Sequence, residues 1–263
     1  MSASSNITIV PGQIAEIGGF PITNAVFSFG IVMIIVLVFC FVVRAKLSLV
    51  PSRLQIVAEG LVEYLDGMLK DQFISRKWAK FFLPVMVALF LMIFVANQFT
   101  IIPLMQTIMV EGDVSVALFK NPTADLGLTL ILSLLVILTA QFIAFFTSPL
   151  GHLGNYFKFK PLFQSKSVGD FFMNLIDFFL GLLDIVGELA KIASLSARLF
   201  ANILAGEMMI LIISGIAAWT AYIIPMPFFA LGLLSGAIQT LVFVFLSIGF
   251  LSGTINAVEP ETT

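Results

Sequence analysis

The chain has 263 residues, of which 60% are hydrophobic and 11% are charged, and its formal net charge at pH 7 is −2. A mean hydropathy of +1.11 excludes a soluble globular domain and predicts a polytopic helical membrane protein. One histidine and one cysteine leave few groups for hydrolytic or redox catalysis, and the HExxH, GxxxxGK[ST] and GxSxG patterns are absent from the sequence.

The first predicted span covers residues 25–43 and follows an outer N-terminal segment, residues 1–24, that contains no Lys or Arg. At about 1.5 Å per residue such a run crosses about 30 Å of hydrocarbon. A cleaved signal peptide would instead carry a basic region before a shorter apolar core. Residues 51–72 then place acidic side chains between apolar residues at helical spacing, which predicts an amphipathic helix at the membrane interface.

The second and third predicted spans are residues 81–103 and 124–146. Asn97 lies inside the second span, where hydrogen bonding to another helix is the simplest interpretation. Asp125 opens the third span, where it is either a helix N-terminal charge or a residue at the mouth of a water path. From the residues alone, Asn97 is therefore expected to have a structural role, and Asp125 either a structural role or one in a water path.

The distribution of basic residues predicts the orientation of the chain. Of the 13 Lys and Arg residues, seven lie between the first two spans and three follow the third. Basic loops face the cytoplasm, so the N-terminus is expected outside. Two further spans would then place the C-terminus in the cytoplasm.

Residues 170–256 are predicted to form a helical hairpin. No proline interrupts the chain between residues 170 and 215, and a single helix of that length would extend about 65 to 70 Å, roughly twice the hydrocarbon thickness. The segment must therefore tilt strongly or bend at Gly181, Gly187 or Gly206.

Charged residues interrupt the first helix of this hairpin. A charge near the bilayer centre costs roughly 2.5 to 3.5 kcal/mol, so it is expected to face protein or trapped water and to serve a pathway. Asp184, Lys191 and Arg198 are spaced by seven and share one helical face, which Asn202 joins. Glu207 follows Arg198 by nine residues and is expected on the opposite side.

Two features of this helix leave alternatives open. A ridge of small residues lets another membrane helix approach closely, whether that helix belongs to this chain or to a partner. Arg198 either forms a buried ion pair with Asp184 or Glu188, or holds a fixed positive charge. Arginine is effectively never deprotonated, so it attracts a carboxylate without relaying protons. A mobile carboxylate would have to come from a partner subunit.

The ridge of small residues consists of Ala190, Ser194, Ala197, Ala201 and Ala205.

Residues 194–207, SLSARLFANILAGE, resemble the SLxxRLFxNxxAG signature of subunit a of the membrane sector of F-type (rotary) ATP synthases. FVANQFTIIP resembles the end of the second span in that family, and PTADLGLTLIL resembles the opening of its third span. Gln239 stands where the family has a glutamine on its last helix. The resemblance covers spans two to five.

Composition and resemblance together predict an all-α polytopic membrane protein with about five transmembrane helices and an interfacial helix, the last two helices forming a long tilted hairpin. The resemblance implies a non-catalytic, ion (proton) translocating stator subunit that provides two half-channels to a c-ring and couples proton flow to rotation and ATP synthesis. The implied partners are the proteolipid c-ring, peripheral-stalk b subunits, other ATP synthase subunits and lipid. No cofactor, metal or nucleic acid is implied. The expected location is the bacterial plasma (inner) membrane.

The resemblance also implies roles for individual residues. Arg198 would separate the half-channels, and Glu207, Asn202 and Gln239 would line or support the outer path. The cytoplasmic path would contain Asp184 with Ser194. Further candidates for a half-channel or structural role are Asp125, Asn97, Glu188 and Lys191.

This sequence departs from the family at two positions. Gly232 stands where many relatives carry an ionisable group, and Ile192 stands where many have proline. Two other classes also fit the residues alone: an autonomous ion-coupled secondary transporter, and a membrane-embedded enzyme that uses Asp184. The two halves lack matching broken helices, which argues against an inverted-repeat transporter. A scaffold would need neither Arg198 nor Glu207.

Overall fold

The computed structural model describes residues 12–17, 20–98, 109–110, 116–149, 168–216 and 225–258. Within these residues the chain forms six α-helices and two short antiparallel hairpins, and the prediction of an all-α polytopic membrane protein is confirmed. The strands are β1 Gln13–Ile17, β2 Phe20–Thr23, β3 Met109–Val110 and β4 Val116–Ala117. The helices are α1 Asn24–Ala45, α2 Arg53–Gln72, α3 Arg76–Gln98, α4 Leu126–Thr147, α5 Val168–Ile216 and α6 Pro225–Asn256.

Four of these helices, α1, α3, α4 and most of α6, are long and apolar enough to cross a membrane. α3 begins at Arg76, earlier than the predicted start at residue 81, because backbone hydrogen bonding continues through the basic residues that precede the apolar run. The N-terminal segment, for which no element was predicted, contains the β1–β2 hairpin. Residues 99–103 of the predicted second span, the basic loop after the third span and the turn of the hairpin at residues 217–224 lie outside the described residues.

Side-chain caps explain where three helices begin. Thr23 accepts a hydrogen bond from the Val26 amide at the start of α1, and Ser52 does the same at the start of α2. Asp125 accepts one from the Gly127 amide at 2.9 Å at the start of α4. A cap satisfies backbone donors that the first turn leaves without a partner. The hydrogen bond that Asp125 accepts from Gly127 therefore supports the interpretation of Asp125 as a residue that caps the N-terminus of α4.

The amphipathic helix α2 packs on the start of α3. Its Leu65 and Leu69 are fully buried beside Phe73 and Phe82, whose rings stack with centroids 5.6 Å apart. The opposite face, which includes Glu63, is exposed. This two-sided pattern fits the predicted interfacial helix.

α3 and α6 run antiparallel, and Asn256, the last residue of α6, is hydrogen-bonded to the connection between α2 and α3. Its Nδ2 donates to the Gln72 carbonyl oxygen at 3.0 Å, and its Oδ1 accepts from the Ile74 amide at 3.4 Å. Between the helices lies the main apolar core, which α4 and α5 complete. Lipid tails are as apolar as these side chains, so close packing and interhelical hydrogen bonds hold such a bundle together.

α5 is the longest element. Its 49 residues, at about 1.5 Å each, correspond to a length of about 74 Å. The helix continues through Gly181, Gly187 and Gly206 without a break in its helical hydrogen bonding. Since about 30 Å of hydrocarbon cannot contain this length along the bilayer normal, α5 must tilt strongly or extend beyond the hydrocarbon.

Candidate functional site

One face of α5 is buried within the bundle. Leu195, Leu199 and Ile203 belong to the buried core, and Ser196 is also buried. The Ser196 hydroxyl lies 3.2 Å from the Thr129 hydroxyl on α4. Because Thr129 can donate its own proton to the Leu126 carbonyl, it can accept one from Ser196. This face is what fixes the rotation of α5 about its axis.

The small-residue ridge lies on the other side of α5. All five of its members are exposed in this chain, so the ridge does not pack against the described helices of its own chain. The described residues therefore do not support the interpretation in which the ridge packs against the chain's own helices. The members are Ala190, Ser194, Ala197, Ala201 and Ala205.

Arg198 is exposed beside this ridge. Within the described residues its side chain forms no hydrogen bond and no ion pair. Glu188 pairs instead with Lys191, whose Nζ lies 2.6 Å from Glu188 Oε1 and 5.4 Å from the centre of the Phe250 ring on α6. Asp184 is exposed and forms no ion pair within the described part of the chain. The ion pair considered for Arg198 is therefore not what the structure contains.

Asn202, one turn beyond Arg198, connects α5 to α6. Its Oδ1 accepts a 2.7 Å hydrogen bond from the Ser235 hydroxyl. The Asn202–Ser235 and Lys191–Phe250 contacts show that the two helices run antiparallel. Arg198 is four residues before Asn202 on α5, and Gln239 is four residues after Ser235 on α6. Because the helices are antiparallel, Gln239 lies near the level of Arg198.

Gln239 is 8% exposed, and its Nε2 has no hydrogen-bond partner within the described residues. The structure thus brings Gln239 to the level of Arg198 without a hydrogen bond between the two side chains. A buried amide nitrogen that lacks a partner is costly, by about 1 to 3 kcal/mol, which makes this position a candidate for water or a partner group.

Glu207 lies about 14 Å beyond Arg198 along α5. Its Oε1 is buried and has no hydrogen-bond partner within the described part of the chain. Lys120, in the segment that leads into α4, interacts electrostatically with both Glu207 and Asp125, and its backbone amide donates to Ser28 of α1 at 3.2 Å. Burial lowers the pKa of Lys120, and the two carboxylates act in the opposite direction.

Lys120 and Ser235 were not selected as site residues by sequence reasoning. A signal for Lys120 was present, since it is the one Lys or Arg in the sequence between the second and third predicted spans. Ser235 belongs to a row of small and polar residues on α6, but the spacing of residues within one helix does not predict its partner on α5. Asn97, in contrast, hydrogen-bonds across helices, as the simplest interpretation of its position predicted.

The remaining candidates on α5 precede Arg198 in the chain. Ser194 is exposed with the ridge, and Glu188 Oε2 is buried with no hydrogen-bond partner in the described part of the chain. No three His, Cys, Asp or Glu residues among those described come close enough together to hold a metal ion.

Fold and site together define a polytopic helical membrane protein whose longest helix exposes an arginine on a ridge of small residues. The family model for the ATP synthase A chain matches residues 26–252, and the chain belongs to this family. It is 30% identical to ATP synthase subunit a of Campylobacter concisus over 235 residues, which cover 89% of this chain and 91% of the relative. It is 29% identical to the Moorella thermoacetica subunit over 247 residues, 94% and 97% of the two chains, and 28% identical to that of Gloeobacter violaceus over 226 residues, 86% and 81%.

Membership of this family connects the chain with ATP synthesis and proton transport in a membrane. It also means that the other subunits of an ATP synthase are its partners.

Proposed function

We propose that this chain is the ion-translocating stator subunit of a rotary ATP synthase, with two half-channels that open onto a c-ring of proteolipid subunits. Proton flow through the half-channels would drive rotation of the ring and so ATP synthesis. The observation that carries the proposal is Arg198, a permanent cation exposed on a small-residue ridge and unpaired within the described residues.

Coulomb's law indicates what Arg198 does there. A carboxylate about 4 Å away is attracted by about 4 kcal/mol at an effective dielectric constant of 20, against about 1 kcal/mol in water. An attraction of this size holds a passing rotor carboxylate in its deprotonated form. Because Arg198 cannot give up its own proton, protons do not cross directly from one half-channel to the other.

The other site residues are assigned around this charge. Glu207, with Lys120 nearby, serves the outer path, and Asn202 and Gln239 support that path at the level of Arg198. Asp184 and Ser194, which are both exposed, serve the cytoplasmic path. Asp125, Glu188 and Lys191 have structural roles, as the α4 cap and the ion pair indicate.

The ridge is the proposed surface for the c-ring, and its small side chains allow a rotor helix to pass closely. Peripheral-stalk b subunits would hold the chain in place. The proposed location is a bacterial plasma membrane, with the N-terminus outside and the C-terminus in the cytoplasm, as the basic residues between α1 and α3 suggest. Moving one charge across 100 mV yields about 2.3 kcal/mol, so each ATP requires several protons, which suits a ring of repeated sites.

The test uses inside-out membrane vesicles that contain the complete ATP synthase. Arg198→Ala is expected to abolish ATP-driven proton pumping while the complex still assembles. Arg53→Ala, which changes an exposed arginine at the start of α2, is the matched control and should pump normally. Normal pumping by the Arg198→Ala complex would reject the proposal.

A further inference from the structure

A buried polar network surrounds Asn97 at the end of α3. Both protons of its amide are used: Nδ2 donates to the Gly236 carbonyl oxygen at 3.0 Å and to the Thr240 hydroxyl at 3.1 Å, both on α6. Its Oδ1 lies 2.8 Å from the hydroxyl of Thr123, in the turn that precedes α4. One side chain therefore joins α3, α6 and the segment before α4.

The network is buried and compact. Asn97, Thr123 and Thr240 are 2%, 0% and 0% exposed. The single hydroxyl proton of Thr123 is shared between Asn97 Oδ1 and Asn121 Oδ1, which lies 2.7 Å away. Apolar contacts are non-directional and permit small rotations of a helix, whereas hydrogen bonds of this geometry fix its rotation and its height.

The network continues to the helix that carries the arginine. Gly236 is adjacent to Ser235, which donates to Asn202 on α5, one turn from Arg198. A continuous series of contacts thus runs from α3 through α6 to α5. Any rotation of α6 about its axis would move Ser235 and, through it, the position at which Asn202 is held.

The approach between α3 and α6 is close at this level. A Cβ added at Gly236 would lie 3.1 Å from Asn97 Cβ, which is tighter than ordinary van der Waals contact. At Gly249, further along α6, an added Cβ would meet nothing within 4 Å. Asn97 and Gly236 therefore set the separation of the two helices, and Gly249 does not.

We propose that Asn97 is a positioning residue, which fixes the rotation and height of α6 at Gly236 and thereby holds Asn202 and Arg198 in register with the passing rotor. The inference rests on the proposed function. Asn97 acts through α6 and need not touch the transported ion. A stator must resist the lateral force that its rotor exerts. The hydrogen bonds of Asn97 to α6 oppose that force near the level of Arg198.

The experiment measures assembly, ATP hydrolysis and ATP-driven proton pumping in inside-out vesicles that contain the complete complex. Asn97→Leu keeps the branching and the number of heavy atoms of the side chain and removes all its hydrogen bonds, and Gly236→Ala pushes α6 away without removing a polar group. Both variants are expected to assemble and to pump about tenfold more slowly per complex, since a misplacement of about 1 Å in a positioned site costs up to about 10²-fold. Gly249→Ala is the matched control and should pump normally.

The outcomes separate positioning from other roles. A loss in Asn97→Leu with normal pumping in Gly236→Ala would show that the amide itself is needed in a water path, and would overturn the inference. Pumping that falls only in proportion to the amount of assembled complex would also overturn it. Should Asn97→Leu not assemble, Thr240→Val removes one partner hydroxyl at constant size, and undiminished pumping per complex in both Thr240→Val and Gly236→Ala would overturn it.

Arg198→Ala in the same membranes distinguishes the two proposals. If that variant pumps, the proposed function fails, whatever Asn97→Leu does. If it does not pump, and the Asn97→Leu and Gly236→Ala complexes pump normally, only the positioning role is wrong.

Discussion

The Ser235 hydroxyl donates a 2.7 Å hydrogen bond to Asn202 Oδ1, and this contact joins α6 to α5 one turn from Arg198. The return contact, from Asn202 Nδ2 to the Ser235 carbonyl oxygen, is longer at 3.5 Å. The hydroxyl bond is therefore the stronger of the two. It gives the arginine helix a fixed neighbour one turn from Arg198.

Removing this hydroxyl should loosen the hairpin. Interhelical hydrogen bonds in membranes contribute about 0.6 kcal/mol on average and up to about 1.7. When this free energy is lost from the arrangement that pumps, Ser235→Ala is expected to lower ATP-driven pumping per complex by about threefold to sixteenfold, at 1.4 kcal/mol per factor of ten. Ser235→Thr keeps the hydroxyl and should pump at near the original rate, and equal rates for the two variants would contradict this role.

Enlarging the ridge should weaken the proposed contact with the c-ring. Ala201→Leu adds three carbon atoms to an exposed face that is proposed to meet a close-packed helix, and we expect loss of pumping and weaker copurification with the c-ring. Ala88→Leu makes the same change at an exposed position on α3 and is the control. Unaltered copurification of the Ala201→Leu chain would place the rotor elsewhere.

Neutralising Glu207 should interrupt the proposed outer path. Glu207→Gln keeps the shape of the side chain and removes its capacity to exchange a proton, a step that typically contributes about 10²- to 10⁴-fold to a rate. Pumping in vesicles is expected to fall by at least about 10²-fold, with partial recovery in Glu207→Asp. Glu63→Gln, on the exposed face of α2, should have no effect. Retained pumping in Glu207→Gln would remove this residue from the path.

Lys120 predicts a pH dependence of stability. Burial lowers its pKa from 10.5, so between the folded and unfolded values the unfolded chain binds more protons and the free energy of unfolding rises with pH. Below the folded pKa the charged amine is a net cost despite Glu207 and Asp125. Lys120→Gln should therefore be at least as stable as the original chain near pH 7, with the difference shrinking toward pH 10.5. Thermal unfolding of the purified complex measures this, and a large loss of stability at pH 7 would contradict it.

Part of this site was predictable because one helix repeats its faces regularly. Helical spacing placed Arg198 and Asn202 together and identified the ridge, and both lie where the periodicity of α5 puts them. An arginine in an apolar segment is expensive, so its presence alone indicated function. Contacts between residues within one or two turns of the same helix can therefore be predicted from the sequence.

The contacts between helices were not predictable in the same way. Asn97 and Gly236 are 139 residues apart, and no periodicity relates them. Asn97 was assigned a hydrogen bond to another helix, but the identity of its partners depends on which helices become neighbours. Glu188 and Lys191 form an i, i+3 pair that local spacing allows, yet it was the more distant Arg198 that was considered as a partner for Glu188.

Two asparagines join α6 to the helices that precede it in the chain, and their positions have a mechanical consequence. Asn97 on α3 contacts α6 at Gly236, and Asn256, the last residue of α6, contacts Gln72 and Ile74 where α2 leads into α3. Along α6 the two points of contact are about 30 Å apart. If α6 slipped past α3 by one residue, the two hydrogen bonds of Asn97 and the two of Asn256 would all break at once. The two sets of hydrogen bonds therefore resist sliding of α6 together. Under load α6 keeps its position or moves in one cooperative step, without intermediate positions.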